Sequence, residues 1–221
     1  MTDDTQPLGI MGGTFDPVHY GHLRCAEEAR RKLGLKTVHL LPAGTPPHRQ
    51  APVASAAQRL AMLEQALSEF PRLEIDGRET RRAGPSYMVE TLLEMRVEFP
   101  NRPILLMLGQ DAANGLHGWH RWRRLFGLAH IVILERPGTR AHYDPDVAQE
   151  IEDRVSAEPD ALFGCKAGRV LYLDVGRHDI SATVIKELIR QGRSPGGMMP
   201  AAELEYIREH GIYMGGTGAA A

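Results

Sequence analysis

Short apolar runs alternate along this chain with longer segments in which apolar residues recur every three or four positions. The runs at residues 8–11, 38–41, 104–108, 131–134 and 170–173 have the length and composition of strands that are buried on both faces of a parallel sheet. Because parallel strands need long crossover connections, the segments between them predict helices. The pattern therefore predicts an α/β fold, a doubly wound parallel sheet with helices on both faces.

Helix start signals stand before four of these segments. Ser55 and Gln58 have the spacing of a capping box, Ser86 and Ser181 precede two further segments, and Pro200 opens the last one. Each segment is predicted to pack one face on its neighbours. The predicted inward faces are Leu60, Leu63, Leu67 and Phe70; Val89, Leu93 and Val97; Val184, Leu188 and Ile189; and Leu204 and Ile207.

The absence of repeats and of low-complexity linkers predicts a single domain over residues 1–221, with its core at about 7–213. Residues 138–168 are polar, and we interpret them as an insertion in the same domain that carries one helix at 147–155. Residues 215–221 are small and featureless, which predicts a frayed end.

The composition excludes several classes of protein. An apolar fraction of 43% with 24% charged residues is typical of a folded chain. The 26 Lys and Arg against 28 Asp and Glu give a net charge of −2, so no general attraction to nucleic acid is expected and phosphate recognition must be local. Cys25 and Cys165 cannot build a disulfide framework or a four-ligand zinc site by themselves.

The hydropathy of the chain predicts a cytoplasmic location and no membrane partner. No apolar stretch approaches the roughly 18 to 20 residues of a membrane span. The first five residues are acidic and polar, unlike the basic and then apolar plan of a signal peptide.

The first predicted strand runs into the string GGTFDPVHYGH at residues 12–22. Gly12 and Gly13 lack a Cβ, so a ligand can approach the main chain there. A helix is predicted to start near Pro17 or Val18, with its free N–H groups and its dipole directed at the ligand. An anion is the expected occupant.

Two histidines follow this turn at helical spacing. His19 and His22 are three residues apart, so they share one helix face, and Gly21 removes bulk between them. We interpret the two imidazoles as hydrogen-bond donors to phosphate oxygens. Two alternatives stay open: a structural histidine in a tight turn, and a His-x-x-His metal pair, which is weak evidence for zinc without a third ligand.

With these residues in view, the string closely resembles the signature of the nucleotidyltransferase superfamily that carries an HxGH element. The rest of the chain resembles one family within it, the bacterial nicotinate-nucleotide adenylyltransferases, over residues 8–213. Short motifs that are weak individually follow in the family's order: PPHR, PSY, GQD, RPG and ISAT. The resemblance implies transfer of AMP from ATP to nicotinate mononucleotide, giving nicotinate adenine dinucleotide and pyrophosphate. It also implies Mg²⁺ held mainly by substrate phosphates and water, without a protein metal site.

The resemblance assigns roles to individual residues. His19 and His22 are the catalytic pair, as stabilisers of the transition state. ATP is assigned to Gly12, Gly13, Thr14, Phe15, His19, His22, Gly109, Asp111, Ser181, Thr183 and Lys186. Asp111 would accept hydrogen bonds from the ribose hydroxyls, with a helix N-cap as the alternative. Nicotinate mononucleotide is assigned to His48, Arg49, Tyr87, Trp119 and Arg136.

Three positions depart from the family pattern. Lys186 stands where an arginine is usual, which keeps the charge but loses the bidentate fork. Met88 replaces a common threonine, and Ala43 stands where asparagine is frequent. If main-chain N–H groups read the nicotinate carboxylate, both changes are tolerable. If side chains read it, the preference for the acid over the amide should be weaker than usual.

Other features of the sequence are compatible with different functions. The run HGWHRWRR at residues 117–124 interleaves basic and aromatic residues, as nucleic-acid surfaces do. The slightly acidic chain favours instead a helix with Trp119 near the substrate and Trp122 inside, so no nucleic-acid partner is predicted. A sister transferase for nicotinamide mononucleotide or phosphopantetheine, and a non-catalytic nucleotide- or RNA-binding module, remain alternatives. A homo-oligomer is left open.

Overall fold

Six parallel strands form one sheet in the described part of the chain, which is residues 6–46, 51–135, 138 and 140–214 of a computed structural model. The strands are β1 (Leu8–Gly13), β2 (Val38–Pro42), β3 (Leu73–Ile75), β4 (Ile104–Gly109), β5 (His130–Glu135) and β6 (Val170–Asp174). Every apolar run predicted as a strand is one. The strand β3 is not predicted by the pattern.

Helices connect the strands. They are α1 (Tyr20–Lys32), α2 (Ala56–Ala66), α3 (Arg78–Arg81), α4 (Met88–Glu98), α5 (Gln110–Asn114), α6 (Leu125–Leu128), α7 (Pro145–Glu152), α8 (Ala182–Arg190) and α9 (Ala201–Glu209). Short 3₁₀ turns cover Leu67–Glu69, Leu116–Gly118, Trp122–Arg124 and Pro159–Leu162. Over the residues described, no helix has both the length and the apolar character needed to cross a membrane.

The strand order creates a switch point in the middle of the sheet. The order is β3-β2-β1-β4-β5-β6, so the chain first winds outwards from β1 and then returns to β1 to wind the other way. Gly9 of β1 is aligned with Val38 of β2 on one side and with Leu105 of β4 on the other. The doubly wound topology is confirmed, and it opens a crevice above the carboxyl ends of β1 and β4.

Alternate residues of the strands enter two hydrophobic clusters, one on each face of the sheet. In β4, Leu105 and Met107 pack with α1, whereas Leu106 and Leu108 pack with α4. This period of two is what a strand covered by helices on both faces requires. A third cluster joins α2, α8 and α9, and its buried members include Met62, Ile185, Ile189, Ile207 and Tyr213.

The helix starts agree with the sequence more closely than the helix faces do. The capping box of α2 is confirmed, since the Ser55 hydroxyl accepts from the N–H of Gln58 and the Gln58 side chain accepts from the N–H of Ser55. The buried residues of α2, however, are Arg59, Met62, Leu63 and Ala66. The buried face of α2 is therefore shifted by about one residue from the predicted inward face, because α2 packs on the third cluster as well as on the sheet.

Two more predicted faces need correction. The N-cap of α4 is Tyr87 and not Ser86, whose hydroxyl instead accepts from the N–H groups of Gly44 and Thr45. Val97 is 85% exposed, since α4 buries Val89, Thr91, Leu92 and Met95. In α8 the buried residues are Ile185 and Ile189, and Val184 is exposed.

The polar segment after β5 contains the predicted helix as α7, which ends at Glu152, three residues before the predicted end. Val147 and Ile151 of α7 are buried in the cluster on the α4 side of the sheet. The division of the chain into one domain with an insertion stays a prediction. The predicted frayed end, residues 215–221, lies outside the described residues.

Candidate active site

A cavity of about 390 Å³ opens at the switch point, where the carboxyl ends of β1 and β4 meet. Its walls come from the loops after β1, β2 and β4, from the start of α4 and from residues 115–120. The predicted site residues among its lining are Gly12, Gly13, Thr14, Tyr87, Gly109, Asp111 and Trp119. The structure therefore brings motifs that are about 100 residues apart in the chain into one crevice.

The glycine turn after β1 is required by close packing. A Cβ on Gly13 would lie 2.8 Å from the ring of Phe15, and a Cβ on Gly12 would lie 2.8 Å from Cε of Met88. Phe15 has a left-handed backbone, with φ of 49°, and its side chain is buried. Phe15 thus supports the turn with its ring, and only its main chain is left to contact a ligand.

The two histidines form a stacked pair at the start of α1. Their ring centroids are 3.7 Å apart with an interplanar angle of 18°. A Cβ on Gly21 would come within 2.9 Å of Nδ1 of His19, so glycine at this position leaves room for the His19 ring. His19 is 4% exposed and His22 is half-buried. The predicted proximity of the imidazoles is confirmed.

The pair is connected to the cavity through Phe15. The ring of Phe15 stands edge-on to the His22 ring at 5.2 Å, and the same ring lies under Gly13 of the cavity wall. Neither histidine lines the cavity itself. The imidazoles therefore lie next to the Gly13 turn, with the ring of Phe15 between them and the cavity wall.

The start of α1 lies later in the chain than predicted. The helix begins at Tyr20, and His19 is its N-cap with an extended backbone, so Pro17 and Val18 belong to the preceding loop. The N–H of Tyr20 donates to the carbonyl of Met198. One N–H of the first turn is therefore used inside the protein, and fewer remain for an anion than the sequence suggests.

The loop before α8 passes directly over the first turn of α1. A Cβ on Gly21 would lie 3.3 Å from the carbonyl oxygen of His178. Ser181 and Thr183 follow this loop, and both are exposed at the start of α8. The ISAT motif thus begins two residues after a contact with the first turn of α1. Its assignment to the triphosphate stays a prediction.

Lys186 is bound to an aspartate of the first motif. Its Nζ donates to Oδ2 of Asp16 at 2.9 Å. Asp16 is buried and also accepts from the N–H groups of Val53 and Ala54 and from the hydroxyl of Tyr213 at 2.7 Å. Asp16 is thus the centre of a network that the sequence analysis missed.

Burial alone would raise the pKa of Asp16, but its hydrogen-bond donors, the N–H of Ala54 first among them, hold it below the usual value. Burial and the bond to Asp16 raise the pKa of the Tyr213 hydroxyl. Asp16 therefore stays ionised and Tyr213 stays a donor near neutral pH. The partners of Asp16 lie up to 197 positions away in the chain, so no local sequence signal could have identified this network.

The GQD motif ends β4 and begins α5. Asp111 is the second residue of α5, whose N-cap is Gly109, so the alternative role of Asp111 as an N-cap is wrong. Its side chain is exposed and lines the cavity. Gln110 is buried and donates to the side chains of Asn114 and Tyr143. The motif therefore places Asp111 at the crevice and holds the side chain of Gln110 in the protein interior.

Aromatic rings form the opposite wall. Tyr87 and His120 are 4.4 Å apart at an interplanar angle of 30°, and both line the cavity together with Trp119. Trp122 is buried and stands edge-on to Phe126. Trp122 is inside the protein as predicted, whereas the contact of Trp119 with a substrate stays a prediction. His120 is a lining residue that was not predicted.

The run HGWHRWRR is not the single helix that was predicted. It consists of two 3₁₀ turns separated by extended Trp119 and by Arg121, whose φ is 52°. Arg123 covers the ring of Trp122 at 4.3 Å and pairs with Asp146. This irregular backbone is what allows Trp119 and Trp122 to face different environments.

The described cavity wall carries carboxyl groups but no lysine or arginine. The carboxyl groups belong to Glu79 and Asp111. Burial raises the pKa of Glu79, although the hydroxyl of Thr91 and the charge of Arg82 oppose the shift. Within the described ranges, no group of three or more His, Cys, Asp or Glu side chains is arranged to hold a metal ion.

Comparison with known proteins agrees with this geometry. Residues 10–188 match the sequence profile of the Cytidylyltransferase-like family. The chain belongs to this family. A relative in Methylococcus capsulatus, named "Probable nicotinate-nucleotide adenylyltransferase", is 45% identical over 93% of this chain and 99% of its own length. A relative of the same name in Halorhodospira halophila is 43% identical over 96% of this chain and 98% of its own.

A solved structure has the same fold at low sequence identity. The Plasmodium falciparum nicotinic acid mononucleotide adenylyltransferase complexed with NaAD superposes with a TM-score of 0.72. It covers 94% of this chain and 97% of its own, at 13% identity. The likeness establishes the nucleotidyltransferase fold of this cytidylyltransferase-like chain.

The remaining residues singled out in the sequence fall in two groups. Met88 and Ala43, which depart from the family pattern, both line the cavity. The N–H of Ala43 donates to the carbonyl of Gly13, a contact that needs no particular side chain. His48, Arg49 and Arg136 lie outside the described residues, so their assignment to the mononucleotide stays a prediction.

Proposed function

We propose that this chain is a nicotinate-nucleotide adenylyltransferase, which transfers AMP from ATP to nicotinate mononucleotide and releases nicotinate adenine dinucleotide and pyrophosphate. The observation that carries the proposal is the single cavity that joins the glycine turn beside the histidine pair to the wall of Tyr87 and Trp119. The names of relatives that span almost the whole chain support it.

In the proposed reaction, a phosphate oxygen of nicotinate mononucleotide attacks the α-phosphorus of ATP. A new P–O bond forms, the bond from the α-phosphorus to the bridging oxygen breaks, and pyrophosphate leaves with the electron pair. The attacking oxygen is already ionised, so no general base and no covalent intermediate are needed. The work left to the protein is to align the two phosphates and to stabilise the charge of the transition state.

His19 and His22 are proposed to donate hydrogen bonds to the phosphate oxygens of ATP. The stacked rings, the room left by Gly21 and the loop at His178 support a fixed position for both imidazoles. Preorganised donors of this kind lower the barrier because they do not have to reorient during the reaction.

The other ATP contacts are proposed from their positions. The main chain of Gly12, Gly13, Thr14 and Phe15 and the Gly109 turn follow the nucleotide, and the Asp111 carboxylate accepts from the ribose hydroxyls. Ser181 and Thr183 contact the triphosphate at the start of α8. Lys186 assists them after exchanging its Asp16 contact for a phosphate oxygen.

The acceptor is proposed to lie against the aromatic wall. Trp119 offers a face to the pyridine ring, and the start of α4 at Tyr87 and Met88 offers main-chain N–H groups to its carboxylate. Helix N-termini favour an anion, which gives the acid an advantage over the amide. His48, Arg49 and Arg136 complete the proposed set of mononucleotide contacts.

Magnesium is proposed to enter with ATP. Asp111 is assigned to the ribose, and the described residues include no group of three or more His, Cys, Asp or Glu side chains that could hold a metal ion. The ion would therefore be held mainly by phosphates and water. When bound, it would neutralise charge on the α-phosphate and on the leaving group. We also propose a cytoplasmic location, without a nucleic-acid or membrane partner.

The decisive experiment measures pyrophosphate release with ATP, Mg²⁺ and a panel of acceptors. We expect nicotinate mononucleotide to be used at least about tenfold better than nicotinamide mononucleotide or phosphopantetheine, since a lost charged contact is worth more than 1.4 kcal/mol. Equal or better use of another acceptor would identify a sister transferase. Binding of ATP without pyrophosphate release from any acceptor would identify a non-catalytic module.

A further inference from the structure

An arginine is buried next to the cavity, where no substrate contact explains it. Arg59 of α2 is 1% exposed and lies among the buried residues Met62, Leu63 and Ala66. A buried guanidinium is costly unless each of its N–H groups finds an acceptor. The location of these acceptors therefore indicates what the residue holds in place.

The acceptors of Arg59 are main-chain carbonyls from three separate segments. Its Nη1 donates to Thr14 at 2.8 Å, its Nη2 donates to Gly44 at 2.9 Å, and its Nε donates to Ala54 at 3.3 Å. Thr14 follows β1, Gly44 follows β2, and Ala54 precedes α2. One side chain thus joins the two loops that leave adjacent strands at the mouth of the crevice.

The two loops form different parts of the cavity. Thr14 lines it at the glycine turn, and Ala43 and Pro46, which stand on either side of Gly44 in the chain, line it from the β2 loop. The N–H of Gly44 donates to the hydroxyl of Ser86 at 2.9 Å. Through Ser86, the β2 loop is connected to Tyr87 at the start of α4.

The position of Gly44 is fixed closely. A Cβ on Gly44 would lie 2.2 Å from the carbonyl oxygen of Glu79, so the loop backbone presses directly on α3. On the other side, the N–H of Ala54 donates to Asp16 at 3.0 Å. The main chain of Ala54 is therefore held by Asp16 at its N–H and by Arg59 at its carbonyl.

We propose that Arg59 is a positioning residue that sets the phosphate turn at Thr14 against the acceptor loop at Gly44. This inference rests on the proposed function, because it assigns ATP to the first loop and nicotinate mononucleotide to the second side of the cavity. The planar fork of arginine spans both carbonyls at once, which the single ammonium of lysine does not do. Arg59 thereby fixes the distance between the attacking oxygen and the α-phosphorus.

The expected signature is a loss of turnover without a matching loss of binding. Each substrate binds to its own loop, so its separate affinity should change little when the loops move apart. A misalignment of about 1 Å lowers the rate by as much as about a hundredfold. A role in stability alone would leave kcat of the folded enzyme unchanged.

The test compares Arg59→Lys and Arg59→Met with Arg96→Met as a matched control. Arg96 of α4 also binds only carbonyls, those of Phe99, Leu128, Arg102 and Lys166. The last three precede β4, β5 and β6, at the amino ends of the strands and away from the cavity. We expect kcat to fall about thirtyfold in Arg59→Met and about tenfold in Arg59→Lys. Arg96→Met should lose thermal stability and keep kcat within about twofold.

Calorimetry with ATP alone and with nicotinate mononucleotide alone completes the test. Separate Kd values within about threefold of the parent, together with the loss of kcat, support the positioning role. A folded Arg59→Lys with parental kcat overturns it, and so does failure of both Arg59 variants to fold, because the role is then structural. A parent enzyme that is inactive with nicotinate mononucleotide counts against the proposed function instead.

Discussion

The two sides of the cavity are built in different ways. On the proposed phosphate side, the glycine turn, the histidine pair and Asp16 are tightly packed, and Asp16 is bound by four groups from distant parts of the chain. On the proposed acceptor side, Trp119 and His120 stand on irregular backbone between two 3₁₀ turns, and His120 is exposed.

This difference matches the chemical role proposed for each side of the cavity. Charge stabilisation depends on groups that are fixed before the substrate arrives, and buried hydrogen bonds supply this rigidity. Stacking on a flat ring tolerates small shifts. We therefore expect changes on the phosphate side to alter turnover and stability, and changes on the acceptor side to alter binding and preference.

The largest expected effect is on the histidine pair. His19→Ala or His22→Ala should lower kcat about a hundredfold or more, because the loss of one donor to a transition-state oxyanion costs about 3 to 4 kcal/mol. Steady-state pyrophosphate release is the measurement. His210→Ala is the control, since His210 is exposed on the last turn of α9 and stacks on Tyr206. Activity within threefold of the parent for both site variants would remove the pair from the mechanism.

The second-largest expected effect is the loss of stability when Asp16 is substituted. Its pKa is lowered in the folded chain, so its stabilisation is complete above the unfolded value of about 3.9 and is lost as the pH falls through the folded value. Asp16→Asn should lower the free energy of unfolding at pH 7 by about 1.5 to 3 kcal/mol. The difference from the parent should shrink below about pH 4.

Urea unfolding at several pH values tests this prediction. Asp179→Asn is the matched control, because Asp179 pairs with Arg177 on the surface and should contribute less than about 1 kcal/mol. Equal destabilisation by both substitutions, or a difference that grows in acid, would show that the Asp16 network does not stabilise the phosphate side.

A smaller effect is expected on the acceptor wall. Trp119→Ala should raise KM for nicotinate mononucleotide about tenfold and leave the Kd of ATP nearly unchanged, since a stacking contact contributes about 1 to 3 kcal/mol. Trp122→Phe keeps a buried ring and should change neither value. A similar loss of affinity for both ligands in Trp119→Ala would indicate a folding defect and not a lost acceptor contact.

The smallest effect is expected at Met88. Its terminal methyl lies close to Gly12, and Met88 is both the first residue of α4 and a lining residue of the cavity. If main-chain N–H groups read the acceptor carboxylate, Met88→Thr should change the ratio of kcat/KM for the acid and the amide by less than about threefold, under 1 kcal/mol. A tenfold gain in preference for the acid would show that the side chain at this position reads the carboxylate.

The strands could be predicted from the sequence because five of them are buried on both faces. An apolar run is then sufficient to predict a strand, as at Ile104–Gly109. The strand Leu73–Ile75 gives no such signal, because it has three residues, lies at the edge of the sheet and carries the exposed Glu74. Val97 was predicted inside because helical spacing alone does not say which face of α4 meets the sheet.

The site could be predicted in part for a similar reason. The glycine turn and the histidine pair are local in the chain, and their chemistry is readable from 11 consecutive residues. Arg59 and Asp16 act through carbonyls and donors that the fold brings from elsewhere. An arginine on an amphipathic helix ordinarily faces solvent, so its burial here depends on three loops that no spacing rule connects.

The bond between Tyr213 and Asp16 has a consequence for synthesis on the ribosome. Asp16 is synthesised 197 residues before Tyr213, whose hydroxyl completes its set of donors. A nascent or truncated chain that has formed the whole sheet but lacks Tyr213 would leave this carboxylate short of a partner. The complete Asp16 network can therefore form only after Tyr213 has left the ribosome.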